Sequence, residues 1–125
     1  MAECSATKYA LRKPQDGLLY SSNHFLSSIY EKDKKRKKAL ESGESETRYK
    51  RMKELLKENS RQIDIEYGIK ILRDDLILKE NTLHSAIFRP RTLEFLVAQG
   101  LSTRGEFIKF NLEKPEVNKE NLSTY

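Results

Sequence analysis

Apolar residues recur at two different spacings along this chain, and the change from one to the other predicts its architecture. In the first stretch, residues 6–22, the spacing is short and broken by turn formers. Tyr9, Ala10 and Leu11 lead into Lys13-Pro14-Gln15-Asp16-Gly17, and Leu18, Leu19 and Tyr20 return. Proline fixes φ and Asp-Gly tolerates positive φ, so the pattern predicts a β-hairpin with arms at 9–11 and 18–20. It stops at Ser21-Ser22-Asn23, which favour turns. Phe25, Leu26, Ile29 and Tyr30 follow as a small apolar cluster.

From about Ser45 to Glu58 the period becomes helical, with Met52, Leu55 and Leu56 marking the buried stripe. Ser42 or Ser45 is the expected N-cap, and Glu44 and Glu46 suit the positive end of the helix dipole. A shorter helix is predicted from about Asp64 to Arg73, with Ile65, Ile69 and Leu72 on one face and Asp64 as its cap. Gly68 on that side permits a close approach by another element. After Asn81 the period returns to two. Residues 82–88, 93–98 and 106–112 read as three strands, with Arg89-Pro90-Arg91-Thr92 as a turn. Phe107 or Ile108, Phe110 and Leu112 are expected to share the packing of the third. Residues 113–125 read as a flexible tail. The order is hairpin, two helices, then an antiparallel meander, which is an α+β class.

Composition changes this picture in three places. The stretch Glu31 to Lys38 holds six basic and two acidic residues, so 31–44 is expected as an exposed basic loop. No aromatic residue interleaves with Lys34-Lys35-Arg36-Lys37-Lys38, which argues against a nucleic-acid platform. The net charge of +5 leaves room for an acidic partner instead. Cys4 is the one cysteine, so no internal disulfide can form. No apolar run reaches the roughly 20 residues of a membrane helix. The opening residues lack the basic-then-apolar layout of a signal peptide, and the cytoplasm is the preferred compartment.

The candidate chemistry centres on Asn23 and Arg48. A side-chain amide at a strand end can donate to the oxyanion of a tetrahedral intermediate, an interaction worth about 3–4 kcal/mol. Arg48 lies four residues before Met52 and seven before Leu55, which puts it on the apolar side of its helix. A guanidinium there can orient a nucleophile or hold a carboxylate. Lys50, Lys53 and Lys57 occupy the opposite, solvated side. His24 and Phe25 are candidates to line a pocket beside Asn23. Cys4 has no neighbouring His or Asp to activate it and reads as a small strand residue. His24 and His84 lack metal-ligand spacing, and no cofactor signature is present, so no metal or cofactor is expected.

Glu3-Cys4-Ser5, Ala10-Leu11-Arg12, Asp16-Gly17 and Ser22-Asn23-His24-Phe25 together resemble the second half of the acyl-coenzyme A:6-aminopenicillanic acid acyltransferase group. Ser45-x-Thr47-Arg48-Tyr49-x-Arg51 is similar to a segment of the related choloylglycine hydrolases and penicillin V acylases. Thr82 to Phe88 with Leu93 to Ala98 looks like that group's C-terminal hairpin, and the similarity spans residues 3–112 or so. The resemblance implies an N-terminal-nucleophile (Ntn) hydrolase with αββα layers. A cysteine freed by self-cleavage would attack a carbonyl to give an acyl-enzyme, hydrolysing linear amide C–N bonds or transferring the acyl group. It implies an oxyanion role for Asn23 and a place beside the nucleophile for Arg48. That nucleophile should lie well over a hundred residues before Asn23, whereas Cys4 precedes it by 19. The expected partner is therefore a missing N-terminal half or complementary subunit carrying the cysteine, with self-association as a further possibility. The alternative is a non-catalytic module whose residues 34–38 bind an acidic partner.

Overall fold

The computed structural model describes residues 1–59, 63–100 and 105–113. It is a mixed α+β chain with two antiparallel sheets and three α-helices among those residues. Two compact units divide it, Met1–Gln62 and Ile63–Tyr125.

The first unit opens with β1 (Ala2–Cys4), which pairs antiparallel with β2 (Tyr9–Leu11). This corrects the expected hairpin. The arm at 9–11 is present, but its partner lies upstream rather than at 18–20. Ser5 makes the connection, its amide donating to the Lys8 carbonyl at 2.8 Å while its hydroxyl accepts the Lys8 amide at 3.2 Å. The Asp16-Gly17 turn does form. Gln15 and Leu18 exchange both backbone hydrogen bonds at 2.9 Å, and both central residues have positive φ, 52° and 77°. That is the geometry of a two-residue hairpin turn. The ladder stops at this single bridge.

One side of the β1–β2 ribbon carries Glu3 and Ala10, and Glu3 is buried. The other carries Ala2, Cys4, Tyr9 and Leu11, all exposed. A 3-10 turn at Ser28–Tyr30 buries Tyr30 completely. Its hydroxyl points at the carbonyls of Glu3, 2.9 Å, and Lys8, 2.7 Å, and so ties the turn to both ends of the ribbon connection.

The stretch expected as an exposed loop holds a helix, α1 (Lys34–Glu41). None of its residues is buried, though Arg36, Ala39 and Leu40 are half-buried. Asp33 caps it, its carboxylate accepting the amides of Lys35 and Arg36. Gly43, at φ 70°, then accommodates the left-handed conformation that separates α1 from α2 (Glu44–Glu58). Gly43 is the N-cap of α2, not Ser42 or Ser45, although Ser42 Oγ accepts the amide of Glu44, the first residue of the helix, at 3.4 Å. Leu55 is the buried residue of the expected stripe, and Lys50, Lys53 and Lys57 face solvent.

The second unit starts with α3 (Ile65–Leu72), capped as expected by Asp64, which accepts the Tyr67 amide at 2.8 Å. Strands β3 (His84–Arg89), β4 (Glu94–Gln99) and β5 (Ile108–Asn111) form the antiparallel meander in the order β3-β4-β5. Ile69, Leu96, Ala98 and Phe107 are its core, flanked by Ile65, Leu72 and Ile87. A Cβ on Gly68 would meet Ile87 Cδ1 at 3.1 Å, so the helix approaches the sheet where the glycine permits it.

The register puts Phe88, Phe95 and Phe110 side by side on the opposite sheet face, with Phe88 opposite Phe95 and Phe95 opposite Phe110. Their rings stack at 5.9 and 4.9 Å. Ala86, Val97 and Ile108 continue that face. Ile108, and not Phe107, therefore shares the face of Phe110, because strand residues an odd number of positions apart point to opposite sides. Leu112 lies past the end of β5 and is exposed. Apart from Glu113, the expected tail 113–125 lies outside the described residues.

Candidate functional site

Asn23, His24 and Phe25 sit in a loop of the first unit held at both ends by buried polar side chains. At its start is Ser45, in the first turn of α2 and 4% exposed. Its Oγ accepts the Asn23 amide at 2.9 Å and lies 2.8 Å from His24 Nδ1 and 3.0 Å from Ser22 Oγ. Ser22 donates its own proton to the Ser45 carbonyl at 2.7 Å. The Ser45 hydroxyl proton is left for either His24 Nδ1 or Ser22 Oγ.

At the loop's other end is Glu3. Its carboxylate accepts the amides of Leu26 at 3.1 Å and Ser27 at 2.9 Å, and pairs with Arg12 at 3.4 Å. Burial alone would raise its pKa. The hydrogen bonds from Ser27 and Leu26, with the Arg12 charge, outweigh that and hold it below the ordinary carboxylate value. Between these anchors the Phe25 ring stacks on Tyr30 at 4.1 Å.

His24 is half-buried, and the edge of Tyr49 from α2 packs against it with 5.7 Å between ring centroids. Tyr49 also packs against Tyr20 at 5.1 Å. Burial first, then the positive charge of Arg36, lowers the His24 pKa from its ordinary value and favours the neutral ring.

The Asn23 side chain, by contrast, is exposed. Its amide makes no hydrogen bond among the described residues, and it lines a cleft of about 550 Å³. The same cleft is bordered by Cys4, Ser22, His24, Lys35 and Arg36. Phe25 lines it as well. Of the expected site residues, Asn23, His24 and Phe25 are thus brought to one place.

Arg48 follows Ser45 by one helical turn, on the side of α2 that carries Leu55. Its Nε is buried and has no hydrogen-bond acceptor among the described residues. No described contact joins it to Asn23; the link runs through the helix and Ser45. Cys4 lies in β1 with an exposed thiol, as a strand residue. His84 is exposed at the start of β3. No group of three or more His, Cys, Asp or Glu suited to a metal occurs among the described residues. No described helix is long and apolar enough to cross a membrane.

Sequence reasoning missed Ser45 and Glu3 as anchors. Ser45 was visible only as a possible cap and as the first residue of a motif, and Glu3 only as part of a motif. The available signal was a small hydroxyl on the buried side of a helix, three residues before Arg48. No family model, curated protein or solved structure matches this chain.

Proposed function

We propose that this chain is the C-terminal portion of a cysteine Ntn hydrolase, acting on linear amide C–N bonds or transferring acyl groups once a complementary polypeptide supplies the nucleophile. The observation that carries this reading is Arg48. A buried guanidinium N–H without an acceptor costs about 1–3 kcal/mol, and native chains rarely leave one unmatched. An acceptor brought by a second polypeptide relieves that cost. Arg48 stands one turn from the residue that holds the Asn23 loop, so the same polypeptide would meet an uncommitted side-chain amide nearby. Asn23 is then the oxyanion donor and Arg48 the residue that orients the incoming group, with His24 and Phe25 lining the substrate pocket.

Two apolar surfaces agree with a chain that works in company. The Phe88, Phe95 and Phe110 face of the second unit's sheet and the Ala2, Cys4, Tyr9 and Leu11 face of the ribbon carry apolar side chains toward solvent. The test is complementation with an N-terminal half bearing an N-terminal cysteine, assayed on a simple amide or thioester. Activity that depends on both pieces supports the reading. A complemented enzyme in which neither Asn23→Ala nor Arg48→Ala changes turnover or self-cleavage overturns it.

A second reading makes the chain a non-catalytic module that holds an acidic partner. It draws on α1, whose five consecutive basic residues are presented on a helix with no buried position. Neutralising Lys34, Lys37 and Lys38, which do not line the Asn23 cleft, abolishes partner binding under this reading and leaves catalysis intact under the first. Partner affinity would also fall steeply with ionic strength.

A further inference from the structure

The cleft beside Asn23 has a charge distribution that the acyl-transfer reading does not require. Lys35 and Arg36, from the first turn of α1, line one side of it. Neither forms an ion pair with an acidic side chain among the described residues. Glu3 is the one carboxylate in the lining, and it is already taken by Arg12 and by the amides of Leu26 and Ser27. The cleft is therefore cationic in effect as well as in count. The Arg36 charge is felt across it, since it lowers the pKa of His24 after burial has done so.

The remaining walls supply what a small organic anion needs. Asn23 offers an amide free of partners among the described residues. His24 has Nδ1 committed to the serine cluster, and Nε2 is the polar atom left over. Phe25, held flat against Tyr30, contributes an apolar surface. The volume of about 550 Å³ lies within the roughly 300–1,000 Å³ of small-molecule sites.

We propose that this cleft binds a small organic carboxylate, its anionic end between Lys35 and Arg36 and its apolar body against Phe25. The site lies wholly within the first unit and needs no second polypeptide. It can therefore be tested on this chain alone, and its failure would leave the catalytic proposal standing.

The experiment follows the His24 ring resonances by NMR, assigned with His84→Gln, during titrations with phenylacetate, benzyl alcohol and inorganic phosphate. Phenylacetate should shift them saturably, with a Kd on the order of millimolar for a ligand of that size. Benzyl alcohol should bind at least tenfold more weakly. The double variant Lys35→Gln/Arg36→Gln should lose tenfold or more in phenylacetate affinity. Lys37→Gln/Lys38→Gln removes the same charge from residues that do not line the cleft, and should leave the Kd within twofold. Four results would each overturn the proposal: no saturable shift, equal binding of benzyl alcohol, phosphate binding as tightly as phenylacetate, or equal losses in the two charge variants. The second would mean a merely apolar pocket, the third a bare anion site, and the fourth a net-charge effect.

Discussion

Ser45 Oγ accepts the backbone N–H of Asn23 at 2.9 Å, across 22 residues of sequence. That bond ties the loop carrying three candidate site residues to the helix that carries Arg48. Ser45→Ala removes the acceptor of the Asn23 N–H, and one of the partners of Ser22 Oγ and of His24 Nδ1, which keep the Ser45 carbonyl and each other. The expected cost is about 1–3 kcal/mol, the range for leaving a buried donor unsatisfied. Amide exchange at Asn23 should speed up by more than the global loss of stability accounts for. If the two change in step, the bond stabilises the fold without specifically ordering the loop.

His24 makes stability depend on pH near neutrality. Its folded pKa is lowered, by burial and then by Arg36, while Glu46 and Glu3 act weakly the other way. The unfolded chain therefore takes up a proton near the ordinary value of about 6.5, before the folded chain does. Between those two values the unfolded state binds more protons, so stability falls as pH drops through 6.5 and levels off below the folded pKa. Glu3 adds a loss of its own only in the carboxylate range, below 4.5. Thermal melts from pH 7.5 to 5.5 should show a falling Tm for the wild type and a flatter profile for His24→Gln. Parallel profiles would remove His24 as the source.

Much of the second unit was legible because its apolar period is regular. Ile65, Ile69 and Leu72 mark one helix face, Asp64 supplies the cap, and the three strands lie within a few residues of where alternation puts them. The first unit was harder to read. Leu18 to Tyr20 look like a strand, but β2 takes Ala2–Cys4 as its partner, and the alternative ladder stops at the single Gln15–Leu18 bridge. Helix α1 has no apolar stripe to announce it, although Asp33 before a run of good helix formers was a usable signal. Asn23 and Arg48 could be named from local pattern. Their connection could not, because it runs through Ser45, a side chain whose partner lies more than 20 residues away.

The sheet face bearing Phe88, Phe95 and Phe110 should make the isolated chain associate. Phe88 is 71% exposed in a row of three stacked rings. Contiguous apolar patches of more than a few hundred Å² recruit partners. Sedimentation across a concentration series should show dimers or larger species, and Phe88→Lys should shift the distribution toward monomer. A wild-type chain that remains monomeric at every concentration would show that the face is tolerated in water, and would weaken the case for a missing half.

Gly68 tests how closely α3 is held to the sheet. Alanine improves helix propensity by about 1 kcal/mol. It also places a methyl 3.1 Å from Ile87 Cδ1, which must give way by a few tenths of an ångström. Because that atom is the end of a flexible side chain, the two effects should nearly cancel. Denaturant melts should put Gly68→Ala within about 0.5 kcal/mol of wild type, and Gly68→Val lower by about 1–3 kcal/mol, the usual cost of overpacking. A loss above 2 kcal/mol for alanine would mean that Ile87 cannot move.

Cys4 gives the molecule a built-in reporter. It is the one thiol in the sequence, it is exposed, and it lies on the rim of the cleft next to Asn23. A maleimide dye would label the native chain at a single, known place, with no cysteine to add and none to remove. Its emission would sense water leaving the cleft as a ligand enters. The same label, paired with a second dye on a complementary polypeptide, would make assembly visible as energy transfer, in real time and without a chemical assay.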